Sequence, residues 1–270
     1  MKKIKGPILF SLMLVLTLST GCNKESDESP INLFSVEDDI EFGKSMEAEI
    51  AANPQEFPVL DPGTHQEAYQ HIYRIRDSIL NTGLIYYKDK FEWKAYIIQN
   101  DTILNAFAAP GGYMYFYTGI IKYLDNEAQF AGVMAHEMAH ADLRHSTSML
   151  TSAYGVQILL SIILGQANSQ LAEIVASLAY GLGELAYSRT MEYQADEHAV
   201  EYTYQTSYDA RGIADFFIKM DNAPRPPQFL STHPSPENRI EKINEAWQNL
   251  GGKEGNTYVD SYNAFKASLP

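Results

Sequence analysis

The sequence predicts an α+β domain, mostly helical, with a small antiparallel sheet beside a central helix. Three observations point there: helical periodicity over residues 36–52 and 64–80, alternation of apolar and polar residues over 91–99, and a downstream stretch whose apolar positions 130, 133 and 134 share one helix face. With 270 residues and 45% hydrophobic content, the chain can bury one sizeable core, so a single globular domain over 35–250 is expected.

The first two helices are each opened by a cap candidate, Ser35 or Thr64, with a glutamate two or three residues later. "FEWKAYIIQ" reads as a strand, and "NAFAAPGGYMYFYTG" as two strands split by Pro110, Gly111 and Gly112. Asp125 or Asn126 can cap the next helix. Residues 150–187 are strongly apolar, yet the run from Ile158 to Gly165 is under half of the roughly 20 residues a membrane span needs, and Gln166, Asn168 and Gln170 follow. A buried helical hairpin is the expectation, with a lip that touches lipid or unfolded chains as the alternative. Further helices are expected over 188–206 and 209–221, and from Ser235, where Pro236 would take the first helical position. Residues 251–270, with three glycines, read as a loosely ordered tail.

The first 21 residues stand apart. Lys2, Lys3 and Lys5 precede the apolar run "ILFSLMLVLTLS", and Thr20 and Gly21 are small residues suited to a cleavage site, the pattern of a signal peptide. Cys22, the only cysteine, follows at once. "LSTGC" resembles a bacterial lipobox, although Ser19 stands where leucine is more usual. Acylation of Cys22 would anchor the chain to a membrane, with residues 22–34 as an acidic tether. Removing residues 1–21 removes three lysines and no acid, leaving 17 basic against 34 acidic side chains. So acidic a body has no nucleic-acid footprint. The expected location is a bacterial cell envelope, on the periplasmic side or the cell surface.

Chemistry concentrates in "MAHEMAHADLRH", residues 134–145. His136 and His140 are four apart, so on a helix they project from one face and can meet one ion, while Glu137 is turned by about 100° and can reach a water there. This is HExxH logic: two imidazoles on zinc and a glutamate as general base. His145, on an unbroken helix, would point well away from both, and reads as a helix-end or packing residue. A third ligand is still needed, and Glu192 in "YSRTMEYQADEHA" is the candidate. Asp196, one turn on, can accept a hydrogen bond from a ligand histidine and set its tautomer. Arg189 is placed to balance these acids, and His198 reads as an ordinary polar residue.

Taken together, "NAFAAPGGYMYFYTGI", "AHEMAH", "SRTMEYQAD" and "THPSPENRI" resemble the HtpX-like and CAAX-prenyl-protease-like zinc metallopeptidases, in particular the soluble bacterial envelope members, over residues 35–248. The resemblance implies a gluzincin, zincin-like fold and one Zn2+ per chain, held by His136, His140 and Glu192, with Glu137 as the base. It also implies that His233 comes near the metal, either as a latch on the open position or as a stabiliser of the tetrahedral intermediate. The strand from Gly111 and Gly112 through Tyr113, Met114 and Tyr115 can hold a substrate as an added strand, since main-chain pairing is indifferent to side chains. Such binding suits an endopeptidase that clears unfolded or misfolded envelope proteins. A chaperone-like client-binding lipoprotein with a latched or structural zinc is the alternative.

Overall fold

Ser35 caps α1 (Val36–Ala52): its hydroxyl accepts the Asp38 amide while the Asp38 carboxylate accepts the Ser35 amide, which satisfies two donors the helix end would otherwise orphan. Phe42, Met46 and Ile50 of α1, spaced by four, are buried, as are Ile72, Ile75 and Ile79 of α2 (Gln66–Leu80). The computed structural model describes residue 32 and residues 34–181, 185–222 and 228–270. The expected signal peptide and Cys22 lie outside the described residues.

Three strands follow, β1 (Lys94–Ile98), β2 (Ala106–Ala109) and β3 (Tyr113–Tyr117), in the order β1-β3-β2. A turn through Pro110–Gly112, with Gly111 at φ 76°, folds β3 back antiparallel on β2, whereas β1 lies parallel to β3. The sheet is therefore mixed rather than antiparallel. Alternation along a strand reports which face is buried and not the direction of its partner, and here β2 itself is the crossover between the two parallel strands. β3 is the central strand, so the main chains of Tyr113, Met114 and Tyr115 are paired on both sides. It has no edge to offer a substrate, contrary to expectation.

After a short α3 (Thr118–Tyr123), the Asn126 side chain accepts the Gln129 amide and starts α4 (Glu127–Asp142), every residue of which is buried. Small residues let its neighbours close in. A Cβ on Gly132 would stand 2.6 Å from the Ile213 amide, and one on Gly212 would stand 2.2 Å from the Ala128 carbonyl; glycine at both positions lets α9 (Gly212–Asp221) lie directly on α4. On another side α8 (Arg189–Tyr204) packs through the fully buried Ala195 and Ala199.

Between α4 and α8 the chain forms α5 (His145–Tyr154), α6 (Val156–Ile163) and α7 (Asn168–Tyr180). α5 and α6 are bent by 113° at Gly155, which has φ 78°. The expected buried hairpin is thus three helices and only half buried: Leu159 and Ile162 face inward, while Leu160 and Leu164 are 42% and 67% exposed. Among the described residues no single helix is long and apolar enough to cross a membrane.

The chain closes with α10 (Phe229–Thr232), α11 (Arg239–Asn249) and α12 (Val259–Ala267). α11 starts after Asn238, at φ 57°, and not at Pro236. The last twenty residues are packed, correcting the expected loose tail: Tyr262 and Phe265 are fully buried, and the Thr257 carbonyl accepts the Glu127 amide at the start of α4. Two aromatic side chains in a short amphipathic segment outweigh the local flexibility of the three glycines.

Candidate metal centre

The HExxH residues sit in the C-terminal half of α4, where the ring Nε2 atoms of His136 and His140 approach to 3.0 Å. α8 brings Glu192, whose Oε1 lies 3.3 Å from His140 Nε2 and whose Oε2 lies 3.6 Å from His136 Nε2. His233, just past α10, adds its Nδ1 at 3.2 Å from His136 Nε2 and 3.1 Å from Glu192 Oε1. One donor atom from each of these four residues lies within 4.8 Å of all the others, and all four are fully buried.

Burial holds His136 and His140 well below the usual imidazole range, against the pull of Glu192, so both rings are neutral and carry a lone pair. Burial alone would raise Glu192, but His233 and Arg239 outweigh it and keep the carboxylate ionised. Two neutral imidazoles and a carboxylate are the donor set of a catalytic zinc site. These residues fit the ion that the sequence implies.

Glu137 lies beside this cluster and is treated differently by its surroundings. Neither of its oxygens has a hydrogen-bond partner, and His233 Nε2 stands 3.5 Å from Oε1. Burial pushes its pKa up to about 7, opposed by His233; the Ala108 amide draws it down less strongly, without closing a short linear hydrogen bond. A carboxyl with that pKa is matched to taking and returning protons near neutrality.

Around the cluster, several contacts orient its members. Asp196 Oδ1 is 3.0 Å from His136 Nδ1, near enough to favour a proton on that nitrogen but oblique to the ring N–H, so the contact is chiefly electrostatic. Arg239 donates to Asp196 through Nε at 2.6 Å and Nη2 at 2.7 Å, and to Glu192 Oε2 at 2.8 Å, with its guanidinium 3.4 Å above the Phe217 ring. Tyr187 stacks on His140 at 3.7 Å between centroids, and Phe229 stacks on His233 at 4.1 Å.

His136, Glu137, His140, Glu192, Asp196 and His233 thus come together as the sequence leads one to expect. Arg189 does not: it is exposed at the first turn of α8, and the cation on Glu192 and Asp196 is the 2%-exposed Arg239. Arg239 lies in the "SPENRI" segment, but no helical spacing ties it to α8, so only the tertiary fold reveals its role. His198 contacts the Gln194 carbonyl one turn back and stays outside the cluster. His145, read as a packing residue, instead lies 3.1 Å from His140, Nδ1 to Nδ1. The geometry of an unbroken helix does not apply to it, because α4 ends at Asp142 and Arg144, at φ 58°, redirects the chain.

A buried two-histidine, one-glutamate cluster beside a glutamate free of hydrogen bonds defines a metallopeptidase-type centre. Residues 74–247 match the model of peptidase family M48, and the chain belongs to that family. It is 34% identical over 158 residues to the beta-barrel assembly-enhancing protease of Escherichia coli strain K12, a stretch covering 54% of this chain and 32% of that protein. Over 159 residues it is 33% identical to the mitochondrial metalloendopeptidase OMA1 of Schizosaccharomyces pombe, covering 57% of this chain and 46% of the relative. OMA1 of Bos taurus is 28% identical over 169 residues, covering 57% and 32%. The matched stretch is thus about a third of the length of the bacterial relative.

Proposed function

We propose that this chain is a zinc-dependent endopeptidase that hydrolyses unfolded or misfolded proteins of the cell envelope, held at a membrane by a lipid on Cys22. The observation that carries the reading is Glu137, a fully buried carboxylate with no hydrogen-bond partner beside a cluster of neutral imidazoles and a carboxylate. His136, His140 and Glu192 would hold zinc, whose Lewis acidity polarises a peptide carbonyl and acidifies a water molecule. Glu137 takes a proton from the attacking water and returns it to the leaving amine, a double role suited to a pKa of about 7. Arg239 keeps Glu192 ionised and fixed, and Asp196 favours the His136 tautomer whose Nε2 is free to bind.

With β3 interior, the strand able to receive an extended substrate is β2. Its pairing with β3 runs through alternate residues, as in Tyr117 N–H to the Asn105 carbonyl, so Ala106 and Ala108 present their main chains to the other side. Ala108 faces Glu137 there and its carbonyl accepts the Ser146 hydroxyl at 3.0 Å, so a peptide paired to this buried edge would displace Ser146 and pass the base. Similarity to a protease named for beta-barrel assembly and to mitochondrial metalloendopeptidases supports a protein substrate.

The test is casein cleavage by the purified chain. Glu137→Gln should lower it by about 10²–10⁴-fold while zinc stays bound, and undiminished, chelator-insensitive cleavage by that variant would reject the assignment.

His233 supports a second feature of the reading. Its Nδ1 is one of the four clustered donor atoms and its ring is fully buried under Phe229, which would let it close the position a substrate carbonyl would use. As a latch, His233→Ala should raise basal casein cleavage. A fall would instead identify His233 as a stabiliser of the tetrahedral intermediate.

A further inference from the structure

The two histidines of α4 are backed by unlike partners. His136 Nδ1 faces the carboxylate of Asp196. His140 Nδ1 faces another imidazole, that of His145, at 3.1 Å, and His145 Nε2 in turn lies 3.1 Å from Gln194 Oε1. The chain puts His145 there by force of local geometry. Arg144 takes the left-handed conformation and is pinned by Asp39 and by the Phe34 and Ser35 carbonyls, which turns the start of α5 back toward α4.

We propose that His145 and Gln194 are positioning residues that hold His140 in the one neutral tautomer able to bind a metal through Nε2. The inference rests on the metal-centre reading above and follows from proton counting. An amide oxygen only accepts, so the proton of His145 must sit on Nε2. Its Nδ1 then carries a lone pair and must be met by a donor, which places the proton of His140 on Nδ1. What remains at His140 Nε2 is a lone pair, 3.3 Å from Glu192 Oε1 and 3.0 Å from His136 Nε2, an array of acceptors that a bound cation would reconcile. Were the Gln194 amide turned over, every proton in the series would reverse, and His140 would present an N–H to the cluster. Stacking of Tyr187 on His140 at 3.7 Å holds the ring plane, and a ring flip within that plane would turn Cδ2 instead of Nδ1 toward His145, which leaves the tautomer as the remaining freedom.

The experiment compares the wild-type chain with His145→Phe, which keeps the ring and removes the acceptor, and His145→Asn, which supplies an acceptor again. Zinc affinity, read by competition with a chromogenic chelator, should fall about 10–100-fold in H145F and recover most of that loss in H145N. Nitrogen-15 NMR of the zinc-loaded wild type should show His145 protonated at Nε2 and bare at Nδ1, whether or not either variant folds. Equal zinc affinity in folded H145F, or a proton on His145 Nδ1 in the zinc-loaded wild type, overturns the inference and leaves the metal centre standing. A wild type that takes up no zinc overturns both.

Discussion

Two glutamates on α4, ten residues apart and both fully buried, are treated in opposite ways. Glu127 is saturated: Arg74 donates to both oxygens at 2.6 and 2.7 Å, Tyr208 to Oε1 at 2.9 Å and Ser261 to Oε2 at 2.7 Å. Burial would raise its pKa, but Arg74, Ser261 and Tyr208 outweigh burial and hold it below the usual carboxylate range. Glu137 has no such partner and is pushed up to about 7. Satisfied, a buried carboxylate ties helices together; unsatisfied, it is costly to keep and is retained for chemistry.

The sharpest way to break this contrast is to replace each glutamate by its amide. Glu137→Gln, which should nearly abolish cleavage, should leave thermal stability unchanged or higher, because a buried carboxylate without hydrogen bonds is removed; a lower melting temperature would show that Glu137 is structural after all. Next in size is Arg239→Ala, expected to cost about 3–5 kcal/mol in urea unfolding, since it leaves two buried carboxylates without their cation.

Glu127→Gln should cost about 1–3 kcal/mol at pH 7 with little change in the activity of the folded protein. Its folded pKa is depressed, so its contribution is complete above the ordinary glutamate value of about 4.3 and is lost as pH falls through the folded value. Unfolding followed from pH 7 downward should therefore show a shallower acid limb in the variant, and an unchanged limb would refute the role assigned to Arg74. The smallest effect belongs to Arg189→Ala, within about 0.5 kcal/mol, as expected of an exposed residue that does not reach the acids.

How much of this is legible in the sequence follows the range over which each signal acts. Helical spacing placed His136 and His140 on one face and Glu192 one turn from Asp196, because both pairs lie within single helices. Motif resemblance added the pairing of α4 with α8, and His233. Partners set by tertiary packing escaped: Arg239 arrives from α11 and takes the place expected of Arg189, and His145 returns to His140 because one left-handed residue, Arg144, ends the helix early. Strand direction escaped for a similar reason, since alternation along β1 says nothing of whether β3 runs with it or against it. In the tail, Tyr262 and Phe265 were visible as aromatic residues, but the surface they fill, against Phe130 of α4, was not.

The most direct test of the account is the zinc content per chain of the folded protein, purified without chelators and measured by elemental analysis. One equivalent, lost when His140 is replaced by Ala, is the predicted result. A folded chain holding no stoichiometric metal would contradict the assignment of His136, His140 and Glu192 and the chemistry built on them.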